Sequence, residues 1–181
     1  MELLGHVKNR QILYTNIRTD ENWLNLLPAD NWMVFTTADN TDEGLLIEVA
    51  NNCIEKLVSY LCCTGELCGL TEQIFDEVIV YRAIKEEEQT GKPYDYEILP
   101  MTTSHKNFSE GFWFVTTVAY DYSKEINKIV CIDFTIKGVK RQLTELVTKI
   151  NNHWLPSDEE TESPFYDDLH TPKNLTGYKE L

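Results

Sequence analysis

Basic side chains are scarce in this sequence: 16 Lys and Arg face 30 Asp and Glu over 181 residues, a formal charge of −14. Nucleic-acid binders hold phosphates with clustered cations, so the deficit argues against that class. Long apolar runs are also missing, and none approaches the ~20 residues that cross a bilayer. Met1 to Lys8 has no charged stretch followed by an apolar core; no secretion signal and a cytoplasmic location are the expectation. Neither a Gly-x-Gly-x-x-Gly turn nor a P-loop follows any strand-like run, which disfavours dinucleotide and triphosphate binding and leaves no cofactor expected. The five cysteines, Cys53, Cys62, Cys63, Cys68 and Cys131, include no Cys-x-x-Cys pair. They read as free, buried thiols, and no metal is expected.

What is present points to a folded domain. Hydrophobic residues make up 42% and aromatics 11%, enough apolar surface to offset the entropy of ordering one domain. The acidity is uneven along the chain. Residues 1–123 carry 8 basic and 20 acidic side chains, residues 124–149 carry 6 and 3, and residues 150–181 carry 2 and 7. The folded part itself therefore displays carboxylates, a field that steers a basic partner and repels acidic competitors.

Apolar runs and breakers give the order of elements. Gln11 to Ile17 reads as a strand or extended arm, and Asp20 to Leu27 as helical turns ended by Pro28. Strands are expected at 32–37, 58–63, 77–82, 97–103 and 128–134. Helices are expected from a Thr41 cap to about Leu57, from about Leu67 to Asp76, after a Ser109 cap, and from Ile136 to Trp154. Glu86 to Glu88, before Thr90-Gly91-Lys92-Pro93, reads as an exposed loop. Pro100 removes a ladder donor and argues for an edge position of its strand. This alternation predicts a three-layer, Rossmann-like or flavodoxin-like α/β domain with a mostly parallel five-stranded sheet over residues 1–154. Residues 155–181 form an acidic tail that carries Phe165, Tyr166 and Tyr178.

Ligands in such folds bind beyond the carboxyl ends of the strands. Those ends supply Thr36, Thr37, Asp39 and Asn40, then Cys62 to Thr64, Thr102 to His105, and Asp133. Cys62 or Cys63 as thiol, His105 as acid or base and Asp39 as orienting acid compose a conceivable catalytic set. Thr102-Thr103-Ser104 before a helix is a candidate anion site. Asp39, Asp42 and Glu43 match no calcium loop, and the latter two read as helix-dipole compensation.

Three stretches resemble a family. They are Trp23-Leu24-Asn25-Leu26-Leu27-Pro28; Tyr60-Leu61-Cys62 with Gly65 and Cys68; and Met101-Thr102-Thr103-Ser104-His105 followed by Ser109-Glu110-Gly111-Phe112-Trp113-Phe114. Together they resemble, over about residues 10–135, a bacterial family of small single-domain proteins of unknown function with a Thr-Thr-x-His motif after a strand. The family pattern has an aromatic at Ser104 and a Trp at Thr64, so this chain departs from it twice. The resemblance implies a bacterial origin and an α/β fold, and implies no activity.

The reading that best fits this composition is a non-enzymatic interaction protein, an immunity or antitoxin-type inhibitor that neutralises a basic toxin such as a nuclease. Asp39, Asp42, Glu43, Glu86, Glu87, Glu88, Thr103 and His105 are its candidate binding residues. Two alternatives stand beside it. One is a small enzyme built on His105, Cys63 and Asp39; the other is a subunit of a bacterial defence complex held through Lys137, Lys140 and Arg141.

Overall fold

Apolar strands alternate their side chains between two separate cores, and this places the helices. In the computed structural model, which describes residues 1–39 and 42–157, the elements are β1 (Glu2–Val7), β2 (Arg10–Asn16), β3 (Trp32–Thr37), α1 (Glu43–Glu55), β4 (Tyr60–Thr64), α2 (Cys68–Thr90), β5 (Met101–His105), α3 (Phe108–Thr117), β6 (Lys128–Asp133) and α4 (Lys140–Asn151). The sheet order is β1-β2-β6-β3-β4-β5. All neighbours are parallel except the β1–β2 hairpin.

Trp32, Val34, Leu61, Cys63, Val130 and Ile132 point to one face and pack on α1 and α2. Met33, Phe35, Tyr60, Cys62, Ile129 and Cys131 point to the other and pack on α3 and α4. Both faces are covered, so the strands are apolar throughout rather than alternating with polar residues. Phe35 makes edge-on contacts with Phe108 and Phe112 at 5.5 and 5.3 Å. Arg82 donates to the Asn51 carbonyl at 2.9 Å and ties α2 to α1. Arg10 spans the domain to donate to the carbonyls of Val115 and Ala119, where α3 ends.

The sheet has six strands, not five: β1 and β2 both enter it, and the segment expected at 77–82 does not. Glu2–Val7 forms an edge strand that its mixed composition did not announce. It pairs with β2 through a turn in which Lys8 has φ +52°. Conversely, the strand expected at 77–82 is helix. Cys68, Thr71, Ile74, Phe75, Val78, Ile79 and Ala83 are buried at helical spacing, and no Gly or Pro interrupts 70–90. Burial of that whole face overrides the β-branched run Val78-Ile79-Val80. Glu86 to Glu88 consequently lie in the last two turns of α2, not in a loop.

Boundaries also move by local chemistry. Asn107, not Ser109, caps α3, accepting from the backbone N–H of Ser109 and Glu110 at 2.9 and 3.1 Å. Asp42 caps α1; Thr41 lies outside the described residues, as does the tail beyond Ser157 with Phe165, Tyr166 and Tyr178. Pro100 sits just before β5, which is the edge strand. No helix among the described residues is long and apolar enough to cross a membrane.

Candidate functional site

The carboxyl ends of β3 and β4 are tied together rather than open. Ala38 N–H donates to the Thr64 carbonyl and Leu67 N–H to the Ala38 carbonyl, both at 3.0 Å. Gly65 has φ +93°, and a Cβ there would fall 2.4 Å from the Ala38 carbonyl oxygen, so only glycine allows the two loops to meet. Thr37 and Thr64 share a buried hydroxyl contact of 3.0 Å, and Thr64 Oγ1 also reaches the Thr36 carbonyl at 2.7 Å. Asp39 accepts from Glu66 N–H at 3.4 Å. These strand-end groups hold loops in place.

Cys63, His105 and Asp39 do not assemble, and Cys62, on the His105 side of the sheet, donates its thiol to the Gly111 carbonyl at 3.4 Å. Cys63 points into the α1/α2 core, whereas His105 lies on the α3 side of the sheet against Gly111. A strand presents successive side chains to opposite faces, so the sheet itself separates the two. Burial pushes the Cys63 thiol up to about 12 and the Cys62 thiol well above its ordinary range, which keeps both protonated and poorly nucleophilic at neutral pH. All five cysteines are free and buried.

His105 does have an acid partner, though a different one. Its Nδ1 contacts the Glu110 carboxylate in the first turn of α3. Gly111 permits the approach, since a Cβ there would lie 2.7 Å from Thr64 Cγ2 and 2.9 Å from His105 Cβ. The ring packs on Phe114 at 4.8 Å. Nε2, the atom a general base would present, is buried and has no hydrogen-bond partner, as is Thr103 Oγ1 on the same side of β5. The anion site expected at Thr102 to Ser104 is contradicted. Thr102 donates to Asp76 at 2.6 Å and Ser104 to Glu72 at 2.5 Å, and two carboxylates repel an anion.

A cavity of about 530 Å³ does open at the strand ends, beside β2 and β6, lined in part by Tyr14, Asn16, Asp20, Lys137, Lys140 and Arg141. Lys140 is paired with Glu2 at 2.6 Å and Arg141 with Glu145 at 3.4 Å. Asp133, buried at the end of β6, is a structural carboxylate. It accepts from Tyr14 Oη, Thr135 N–H and Oγ1, and Val139 N–H, all within 2.8 Å.

The acidic candidates divide between the two ends of the domain. Asp39, Asp42 and Glu43 lie at the carboxyl ends of the strands, where Asp42 accepts from Gly44 N–H at 2.8 Å. Glu86, Glu87 and Glu88 lie at the far end of α2, with Glu87 holding Tyr94 N–H at 2.8 Å. The helix joining the two ends spans about 34 Å at the ordinary rise per residue. Charge is segregated by layer. Residues 42–90, which contain α1, β4 and α2, carry eleven Asp and Glu against three Lys and Arg; residues 107–154, which contain α3, β6 and α4, carry five against six. On the solvent side of α2, Val80, Tyr81 and Ile84 stand 47, 61 and 43% exposed. Asp76 and Glu77 precede them, and Glu87 and Glu88 follow.

This apolar stripe with acidic ends went unrecognised in the sequence because 77–82 read as a strand. The signal that would have found it is the unbroken helical spacing from Cys68 to Thr90. In comparisons with known proteins, a family model described as a domain of unknown function, DUF7684, matches residues 12–150, from β2 through α4. No curated protein matches the chain.

Proposed function

As this chain belongs to the DUF7684 family, whose description assigns no activity, we propose its function from the residues: a non-enzymatic interaction protein whose α1/α2 face receives a basic protein partner. The observation that carries this reading is the layer asymmetry, a net −8 over residues 42–90 against +1 over residues 107–154. Val80, Tyr81 and Ile84 on the same face supply apolar anchors inside a charged rim, the pattern in which a few desolvated side chains give affinity and surrounding charge gives on-rate and selectivity. An immunity or antitoxin-type inhibitor of a cationic toxin, such as a nuclease, is the class that uses such a face most directly, in the cytoplasm where toxin and inhibitor would meet. The helix pair on each side of the sheet supports a three-layer, Rossmann-like or flavodoxin-like reading in the broad sense, with a strand order of its own.

The test is affinity purification of the full chain from its source cells, beside two triple variants. One carries Glu77→Lys, Glu87→Lys and Glu88→Lys; the other carries Lys137→Glu, Lys140→Glu and Arg141→Glu. A basic protein recovered in equal amount with the unmodified chain and lost with the first variant supports the proposal. Loss with the second variant alone would move the interface to α4 and favour the subunit of a larger complex.

A further inference from the structure

We propose that the outer edge of β5 takes an extended segment of the basic partner as an added strand, one in which Lys or Arg alternates with apolar residues. This inference rests on the reading above for the partner's charge. Among the described residues β5 pairs with β4 alone, and no other backbone hydrogen bond there involves Met101 to His105. An open edge presents a row of N–H and C=O groups to any extended chain.

The two flanks of that edge differ in chemistry. On the α2 side lie the carboxylates of Glu72 and Asp76, each accepting only one hydroxyl from β5, so oxygen lone pairs remain for an ammonium or guanidinium group. The α3 side carries Phe114, half-buried and packed on the His105 ring at 4.8 Å. At the first residue of the strand the edge runs into a groove of about 490 Å³ at the amino ends of β4 and β5. Leu57, Ile98, Met101 and Tyr122 line it, 62, 68, 58 and 88% exposed. A strand directs successive side chains to opposite faces. Alternating cations and apolar groups therefore meet the carboxylates on one side and the aromatic and apolar surface on the other.

The probe is an end-blocked, fluorescent octapeptide of alternating lysine and valine, titrated against the full chain by anisotropy. Two comparators have the same charge: one places all lysines before all valines, and the other keeps the alternation but is N-methylated at every second residue. The alternating peptide is expected to bind at least about tenfold more tightly than either, and to slow amide exchange at residues 101–105. Glu72→Gln with Asp76→Asn, which retains hydrogen-bond acceptors for Ser104 and Thr102, is expected to lose about tenfold in affinity.

Equal binding of the three peptides, exchange protection confined to α2, or no binding up to about 1 mM overturns the proposal. So does a protein that is already a dimer with β5 protected, because the edge is then filled by a second copy. Failure of the peptide with retention of the co-purified partner refutes the edge and leaves the acidic-face reading standing. Peptide binding with no basic partner recovered does the reverse.

Discussion

The phenol of Tyr14 donates a 2.7 Å hydrogen bond to the buried carboxylate of Asp133, joining β2 to β6 beneath the loop that leads into α4. Thr135 and Val139 supply the remaining donors, so one carboxylate fixes the whole β6–α4 connection. Asp133→Asn places a donor against donors and is expected to destabilise the fold by about 2–3 kcal/mol. Tyr14→Phe leaves three donors in place and should cost about 1 kcal/mol. Urea titration of the two variants checks the order, and an equal effect would contradict it.

Alkaline pH should loosen the fold. Burial raises the Tyr14 phenol above its ordinary 10.0 and lifts Cys63 from 9.0 to about 12. The folded state therefore keeps protons that the unfolded chain releases. Stability is complete below about pH 9 and falls as pH climbs from there toward the raised values. Melting temperatures across pH 7 to 11 test the sign; a rise above pH 9 would refute it.

Gly65→Ala is expected to cost about 3 kcal/mol, from left-handed backbone together with collision against Ala38. Gly111→Ala would push α3 off Thr64 and His105. Denaturation midpoints for both should fall well below that of Gly69→Ala, where nothing lies near the added methyl.

The two sides of α2 should respond in opposite ways. Phe75→Ala removes a fully buried ring and is expected to cost about 3–5 kcal/mol. Tyr81→Ala should shift stability by no more than about 0.5 kcal/mol while weakening partner retention. A large stability loss at Tyr81 would place that side chain in the core and remove it from the interface.

The enzyme reading has its own test. Alanine at both His105 and Cys63 should leave partner binding and the cellular phenotype intact, provided the variant is folded by circular dichroism. Loss of phenotype from a folded variant that still binds the partner would restore a catalytic role.

Much of the fold was legible because its signals are local. Trp32-Met33-Val34-Phe35, Tyr60-Leu61-Cys62-Cys63 and Ile129-Val130-Cys131-Ile132 are unbroken apolar runs, and runs of that kind belong to parallel strands covered on both faces. The spacing of Leu143, Leu146, Val147 and Ile150 likewise announced α4. Val78-Ile79-Val80 misled, since three β-branched residues suit a strand locally while their neighbours at helical spacing decide where the chain lies. The candidate site was legible only as charge. Carboxylates can be counted along a chain, but whether they share a surface depends on which helices pack side by side.

The sequence by itself determined the acidic excess and the parallel-strand segments, because each depends on residue type and short-range spacing. Tertiary structure alone decided the rest. It put Cys63 and His105 on opposite faces, gave His105 to Glu110, spent Asp133 on a loop, and gathered the negative charge on the α1/α2 layer. These outcomes follow from strand order and side-chain alternation, which bring together residues far apart in the chain and separate others that stand at the same sheet edge.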